Sequence, residues 1–262
     1  MRLDGGGMFG VVPKAIWKRL IPPDDANRIE LQTNCLLLQQ GDQRVLVETG
    51  CGDKWTQKQR DIFAVESRTV VEALAEKGIQ PGDIDDVVLT HLHFDHAGGL
   101  TRLDQDGHAT ATFPNAHIHV QMQEWEDAKA GRSTMTGTYL HSNLDPVADQ
   151  IVTHEGDSTI MSGIRVMPVP GHTWGQQAVL VETVDGTLCF PGDLLPTRHH
   201  IGASYSMGYD MLPWENMRTK QGLLSFAADN SWLLVLDHEP GHPVFTVRHQ
   251  GEWFELLESD AG

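Results

Sequence analysis

The sequence predicts an α/β fold of the layered α+β kind, with strands inside and helices outside. Short apolar and β-branched runs bounded by turn residues recur along the chain, and this pattern indicates strands. Stretches with helical periodicity lie between some of these runs. Because strands cluster in succession and do not alternate strictly with helices, a doubly wound parallel sheet fits the sequence less well than a layered arrangement.

Nine strands and three helices are predicted. The strands cover residues 30–39, 44–48, 86–90, 116–120, 164–168, 177–182, 187–190, 231–236 and 244–248. The helices cover residues 67–77, 123–129 and 214–228. In the first helix Val70, Val71 and Leu74 share one face, and Gly78 followed by Pro81 indicates its end.

Length and charge limit the domain count and the partners. The 262 residues, of which 40% are hydrophobic and 21% charged, suit one domain over residues 1–262. A formal charge of -17 would repel a nucleic acid. No apolar stretch approaches the roughly 20 residues that cross a bilayer, and no apolar signal core opens the chain. We therefore expect a cytoplasmic protein with a small-molecule substrate and no membrane attachment. A homodimer is left open.

The cysteines give no indication of function, whereas the histidines do. Cys35, Cys51 and Cys189 are odd in number, widely spaced and without a C-x-x-C pair, so neither disulfides nor a thiolate zinc site is expected. Histidine is abundant, with 14 residues, several of them grouped. The grouped histidines are therefore the first candidates for function.

One histidine group directly follows the predicted strand 86–90. Residues 90–99 read THLHFDHAGG. Alternation along an extended backbone puts His91 and His93 on the same side, where they can hold one ion. Asp95 and His96 come after the chain begins to turn and can face a second ion, at the ~3.5–4 Å separation of two-metal hydrolases. Four adjacent ligand-type residues in this position favour a metal site.

Three more polar residues each follow an apolar run. His172 lies in VPGHTWG, Asp193 in FPGDLLP and His238 in LDHEPGH. Each signal is weak alone. Together with the first group, they predict that several strand ends contribute to one metal centre.

With these residues the chain resembles the metallo-β-lactamase fold hydrolases. Their H-x-H-x-D-H hallmark is HLHFDH at residues 91–96, and the segment LVETGCGDK at 46–54 is similar to their D-T-G element. The resemblance implies an αββα sandwich of two mixed sheets with the metals at one edge. One departure is Glu48, which stands where the family has an aspartate that supports the site from outside the metal ligands.

The resemblance also implies the ligand roles. One ion would be held by His91, His93 and His172, and the other by Asp95, His96 and His238, with Asp193 bridging. Zinc is the expected metal, and iron and manganese are alternatives. Two such ions would lower the pKa of a bridging water and generate a hydroxide nucleophile. Asp95 would also receive or relay the proton for the leaving group.

Four other activities of this fold fit the sequence less well. The aspartate at 193 disfavours a β-lactamase, and the short segment after His238 disfavours a glyoxalase II. The negative charge disfavours an RNA-processing nuclease, and the complete ligand set disfavours a single-iron oxygenase. We expect a lactonase similar to the quorum-quenching N-acyl-homoserine lactone lactonases. The alternatives are an organophosphate or aryl ester hydrolase, a β-lactamase-like side activity, and a metal-binding module without turnover.

Two apolar segments without clear periodicity, residues 8–29 and 198–214, are expected to wall a substrate pocket. The alternative is that they cover a sheet edge or a dimer contact. The related lactonases use a tyrosine to polarise the substrate carbonyl, and we assign this role to Tyr205 or Tyr209, with His199 or His200 as alternatives. His117 and His119 are expected to be structural, His242 a loop residue, and the others surface residues: His108, His141, His154 and His249.

Overall fold

The computed structural model describes residues 1–135 and 137–259. Over these residues sixteen strands are present: β1 Arg2–Asp4, β2 Arg28–Glu30, β3 Leu36–Gln40, β4 Gln43–Val47, β5 Asp86–Val88, β6 Thr101–Leu103, β7 Ala109–Ala111, β8 His117–Gln121, β9 Ile151–His154, β10 Ser158–Met161, β11 Ile164–Pro168, β12 Gln177–Thr183, β13 Gly186–Phe190, β14 Leu233–Val235, β15 Val244–Gln250 and β16 Trp253–Glu258.

The same part of the chain forms eight α-helices and several single turns of 3₁₀-helix. The α-helices are α1 Gly5–Phe9, α2 Lys14–Trp17, α3 Gln57–Phe63, α4 Val70–Ala75, α5 Phe94–Ala97, α6 Met122–Ala130, α7 His141–Leu144 and α8 Pro213–Asp229. Two 3₁₀ turns, Gly192–Leu194 and Arg198–His200, matter for the site.

Two large mixed sheets confirm the predicted layered α/β fold class. One sheet has seven strands in the order β10-β11-β12-β13-β14-β15-β16, in which only β13 and β14 run parallel. The other has five strands in the order β3-β4-β5-β8-β9, in which β3 and β4 are antiparallel and the other pairs are parallel. Two-stranded pairs, β1 with β2 and β6 with β7, complete the strands described.

The chain divides into two compact units, each with its own sheet. The first unit consists of Met1 and Thr33–Glu155, and the second of Arg2–Gln32 and the chain from Gly156 onward. The assignment of residues 1–262 to a single domain stays a prediction.

Each unit has its own core, formed where helices cover one face of its sheet. In the first unit Leu74 of α4 and Ala128 of α6 pack on Val87 and Ile118 of the sheet. In the second unit Leu223, Leu224 and Ala227 form the buried face of α8 and pack on strands β12, β14 and β15. Burial of these apolar faces stabilises each sheet and fixes the positions where its strands end.

The predicted elements match the observed ones closely in the second unit. Strand β11 has the predicted bounds, and α8 extends the predicted helix by one residue at each end. The predicted strand 30–39 is wrong in its middle, because it divides into β2 and β3 with irregular chain at residues 31–35. Of the two segments expected to be irregular, residues 8–29 contain α2 and most of β2, whereas residues 201–212 are irregular.

Among the described residues, none of the helices is both long enough and apolar enough to span a membrane.

Candidate metal centre

The first unit brings its four predicted ligands together at the end of β5. His91 and His93 follow this strand, and His93 caps α5, which carries Asp95 and His96. The ring of His91 lies 4.4 Å from that of His93 and 4.0 Å from that of His96, between centroids. All four side chains are buried. The strand-to-helix turn therefore concentrates four ligand groups, as the spacing of the motif predicts.

Glu48, which directly follows β4, contacts this group. Its Oε1 accepts the Thr90 backbone N–H at 2.7 Å, and its Oε2 lies 3.3 Å from Nδ1 of His96. Glu48 has a φ of 65°, a conformation that side chains with a Cβ rarely adopt. The glutamate that replaces the family's aspartate thus orients a predicted ligand without occupying the ligand group itself.

A close backbone approach holds the α5 turn in place. A Cβ atom on Gly98 would collide with the carbonyl of Cys51, so the two segments pack at a distance that only glycine permits. Lys54 Nζ donates hydrogen bonds to the carbonyls of Gly98 and Thr101, at 2.6 and 2.5 Å. Burial lowers the pKa of Lys54 to about 8. The loop after β4 therefore packs against the end of α5 and holds the helix that carries Asp95 and His96 in position.

The second unit brings together the other three predicted ligands. His172 follows β11, Asp193 lies in the 3₁₀ turn Gly192–Leu194 after β13, and His238 follows β14. Asp193 Oδ2 lies 3.0 Å from Nε2 of His172, and Oδ1 lies 3.1 Å from Nε2 of His238. One buried carboxylate thus faces two imidazoles with different oxygens, which is the arrangement that a bridging ligand needs.

Both imidazoles of this unit are oriented through their other ring nitrogen. His172 Nδ1 donates to Asp210 Oδ1 at 2.9 Å. His238 Nδ1 donates to the Gln32 carbonyl at 2.8 Å. Because Nδ1 carries the proton in each case, the Nε2 lone pair of each ring faces Asp193.

Two buried aspartates near these rings escaped sequence reasoning. Asp237 accepts the backbone N–H of His238 at 2.9 Å. One of its carboxylate oxygens also lies within 4.8 Å of a carboxylate oxygen of Asp193 and of a ring nitrogen of His238. Asp237 could have been predicted from the sequence, because it directly precedes His238 at the end of a strand. Asp210 had no such signal, because 38 residues separate it from His172.

The donor set fits a divalent transition metal. Imidazole nitrogens and carboxylate oxygens suit zinc, iron or manganese, and the predicted ligand side chains of both units are buried. In the second unit the ligand atoms of His172 and Asp193 lie within 4.8 Å of each other, close enough to share one ion. In the first unit the same holds for His91 and His93.

The residues assigned to substrate activation lie in and near the loop of residues 201–212. The Tyr205 ring meets Phe9 edge-on, with 6.3 Å between centroids, and lies over Gly202. The Tyr209 hydroxyl lies over Gly7, where a Cβ atom would collide with it. Both side chains are half-buried. Their assignment as catalytic residues stays a prediction.

His200, offered as an alternative to these tyrosines, has both ring nitrogens occupied. Nε2 donates to the Met8 carbonyl and Nδ1 accepts from the Thr197 hydroxyl, each at 2.8 Å. Burial lowers the pKa of His200 to about 3, so the ring is neutral. The ring stacks on Phe9 at 4.8 Å and anchors the N-terminal segment. Its neighbour His199 is half-buried, which lowers its pKa.

The remaining histidines form hydrogen bonds and ion pairs with residues of their own unit. His119 Nε2 donates to Asp86 at 2.8 Å, and its Nδ1 lies 3.0 Å from Nε2 of His154. His154, expected at the surface, is therefore half-buried and paired. His242 donates to the Ser259 carbonyl. The exposed histidines each lie beside an aspartate: His108, His117, His141 and His249.

Comparisons with known proteins agree with this geometry. An N-acyl homoserine lactonase of a Bacillus species is 29% identical over 166 residues, which cover 59% of this chain and 60% of the lactonase. The match thus spans less than two thirds of that relative's length. A probable metal-dependent hydrolase from Staphylococcus aureus, of known structure, is 29% identical and superposes with a TM-score of 0.89 over 100% of this chain and 94% of that one.

A second solved structure shows the fold alone. AidC, a dizinc quorum-quenching lactonase, is 19% identical and superposes with a TM-score of 0.82, covering 100% of this chain and 92% of that one. The sequence profile described as the metallo-beta-lactamase superfamily matches residues 28–238, which is most of the chain. The chain therefore belongs to the metallo-beta-lactamase superfamily and has its fold.

Proposed function

We propose that the chain is a metal-dependent hydrolase that binds two divalent ions and opens lactones. The observation that carries the proposal is Asp193, a buried carboxylate whose two oxygens face His172 and His238 at 3.0 and 3.1 Å. Burying a carboxylate between two imidazoles is costly unless the group has a charged partner. A pair of cations held by this carboxylate would supply that partner.

The ligands divide between the two ions as the resemblance implies. His91, His93 and His172 would hold one ion. Asp95, His96 and His238 would hold the other, and Asp193 would be the ligand common to both. Zinc is the proposed metal, since nitrogen and oxygen donors in these proportions suit it, and iron and manganese are the alternatives.

Divalent ions in these positions supply Lewis acidity, which activates water and polarises the substrate's carbonyl oxygen. The chain's own residues complete the chemistry. Asp95 receives the proton lost by the attacking water and passes it to the leaving alkoxide. Tyr205 or Tyr209 donates a hydrogen bond to the oxygen on which negative charge develops.

An aromatic cluster in the first unit favours a substrate that carries an apolar group. Trp55, Phe63 and Phe94 lie 5.5 to 5.7 Å apart between ring centroids, and each is half-buried. Phe94 stands between His93 and Asp95 in the sequence, so the cluster adjoins the ligand turn. A lactone with an acyl chain fits an apolar surface beside a polar, metal-binding one.

The relatives support the lactone more than the alternative esters. An N-acyl homoserine lactonase is among the similar curated proteins, at 29% identity. Phosphotriesters and aryl esters are the second substrate class, because they offer the same polarised oxygen to the ions. Neither class requires a nucleophilic side chain.

The test is a comparison of kcat/KM on the zinc-loaded protein for an N-acyl homoserine lactone, a phenyl ester, a phosphotriester and a cephalosporin. The lactone should be the best substrate, and stripping the metal should abolish its turnover. A cephalosporin faster by about tenfold or more, equal to 1.4 kcal/mol in transition-state binding, would reject the lactonase proposal. No turnover of any substrate by fully loaded protein would favour a metal-binding module.

A further inference from the structure

We propose that Asp210 is a positioning residue for the ligand His172, and that it couples this ligand to the loop of residues 201–212. The inference rests on the proposed function in so far as His172 binds a metal. It concerns only residues of the second unit.

The first observation is the pairing of Asp210 with His172. The Asp210 Oδ1 to His172 Nδ1 distance is 2.9 Å, and the two side chains are 1% and 2% exposed. A carboxylate only accepts hydrogen bonds, so it holds the imidazole proton on Nδ1 and leaves Nε2 to bind. It also makes the ring more electron-rich and hence a stronger ligand.

The second observation is that the other oxygen of Asp210 holds the loop. Oδ2 accepts the Met207 backbone N–H at 3.0 Å. Next to Asp210, the Met211 and Leu212 backbone N–H groups donate to the carbonyls of His172 and Gly171, each at 2.9 Å. One carboxylate therefore joins the ligand ring to the loop that carries Tyr205 and Tyr209.

A buried lysine fixes the other side of this loop. Lys220 of α8 is 1% exposed, and its Nζ donates to the Tyr205 carbonyl at 2.8 Å. Asp210 favours the charged form of this lysine. The loop backbone is thus bound by the Asp210 carboxylate at Met207 and by the Lys220 ammonium group at Tyr205.

The comparison with His238 explains why a charged group at 210 matters. His238 has a neutral acceptor, the Gln32 carbonyl, on its Nδ1. His172 has a buried carboxylate instead, although burying a charge costs several kcal/mol unless it is compensated. If orientation alone were needed, a carbonyl would suffice. The charge therefore strengthens His172 as a ligand, and metal binding at His172 in turn orders the loop.

The experiment measures zinc affinity and loop protection in the full chain. Zinc affinity is measured by competition with a chromophoric chelator for the wild type, Asp210→Asn and Asp210→Ala. Asp229→Asn is the matched control, because Asp229 makes an equally short contact of 2.9 Å to His249 but at the surface. We expect a loss of about 10- to 100-fold for Asp210→Asn, a larger loss for Asp210→Ala and none for the control.

Two further measurements separate positioning from a merely structural role. In a His172→Ala background, replacing Asp210 by Asn should cost no further zinc affinity, because the ligand through which Asp210 acts is gone. Hydrogen exchange of the Met207 amide should slow when zinc binds to the wild type, and not in Asp210→Ala.

Clear outcomes overturn the inference. Wild-type zinc affinity in both Asp210 variants would do so, as would an additive loss in the His172→Ala background. An unfolded Asp210→Ala leaves the decision to Asp210→Asn, which keeps the size of the side chain. None of these measurements uses lactone turnover, so a failure of the substrate assignment is distinguishable from a failure of this inference.

Discussion

Glu48 Oε2 lies 3.3 Å from Nδ1 of His96, while Glu48 Oε1 accepts the Thr90 N–H at 2.7 Å. One carboxylate thus ties the end of β4 to the segment after β5 and keeps the His96 proton on Nδ1. Replacing it with Gln keeps the acceptor for Thr90 but presents an amide N–H₂ to His96, which favours the tautomer with the proton on Nε2. Nε2 is the atom left to bind a metal.

We therefore expect Glu48→Gln to lose zinc affinity by about 10- to 100-fold, as for other residues that orient a metal ligand. Glu48→Ala should in addition lose about 1–3 kcal/mol of folding free energy, because the buried Thr90 N–H loses its acceptor. Chelator competition and urea denaturation measure the two effects. Glu182→Gln, at a surface carboxylate that accepts from Thr187, is the control. Unchanged zinc affinity in Glu48→Gln would contradict the orienting role.

Asp193 should be the single most important residue for metal content. Elemental analysis of gently purified protein should approach about two equivalents of divalent metal per chain. Asp193→Ala should lose more of it than His117→Ala, because the His117 side chain is 70% exposed and lies beside Asp86, which is not among the predicted ligands. Equal losses in the two variants would show that Asp193 does not bridge, and one equivalent with full activity would reject the two-ion proposal.

Removing the hydroxyl of Tyr205 or Tyr209 should lower turnover even though the aromatic ring stays in place. Tyr→Phe removes only the hydroxyl, so the contacts of Tyr205 with Phe9 and Gly202 are kept. Loss of a catalytic hydrogen-bond donor should lower kcat by about 100-fold or more, at unchanged metal content and melting temperature. If both variants retain wild-type kcat, substrate polarisation belongs to the ions alone or to His199, since both nitrogens of His200 are occupied.

The sequence alone predicts the candidate ligands because these residues follow strands that are easy to recognise. Strands β11 and β13 are short and rich in apolar and β-branched residues, so the polar residues after them, His172 and Asp193, stand out. The residues that orient the predicted ligands were harder to find, since Asp210 comes close to His172 only through the fold.

The break in the predicted strand 30–39 is also caused by a residue that is distant in the sequence. Gln32 donates its N–H to the His238 carbonyl and accepts from His238 Nδ1, and so leaves the strand.

Lys220 should make the stability of the protein depend on pH in the alkaline range. Burial lowers the pKa of Lys220 from 10.5 to about 8, although Asp210 opposes the shift. Between these two values the unfolded chain binds the lysine proton and the folded chain does not, so stability rises with pH in this window. Below pH 8 the buried charge costs folding free energy on the order of 3 kcal/mol.

The measurement is urea denaturation of metal-free protein at several values between pH 7.5 and about 10.5. In the wild type the free energy of unfolding should rise across this range relative to Lys220→Met, which has no titrating group at this position. Parallel pH profiles for the two proteins would show that Lys220 titrates near its ordinary pKa when folded.

Gly171 should be indispensable because it lies against α8. A Cβ atom at this position would collide with the Asn216 backbone, which cannot move without shifting the helix. The glycine carbonyl accepts the Leu212 N–H, and the neighbouring His172 carbonyl accepts that of Met211. Gly171→Ala should therefore cost about 1–3 kcal/mol of folding free energy through overpacking, and also zinc affinity, because His172 moves with the displaced loop.

Gly222→Ala is the matched control for Gly171→Ala. Gly222 lies within α8, and a Cβ atom added there would have no atom within 4 Å apart from its chain neighbours and the backbone of its own helix, so alanine should stabilise the helix by about 0.5–1 kcal/mol. Thermal melts with and without zinc measure both variants. A Gly171→Ala protein with wild-type melting temperature and an undiminished zinc-induced rise would show that the close approach to α8 is not what positions His172.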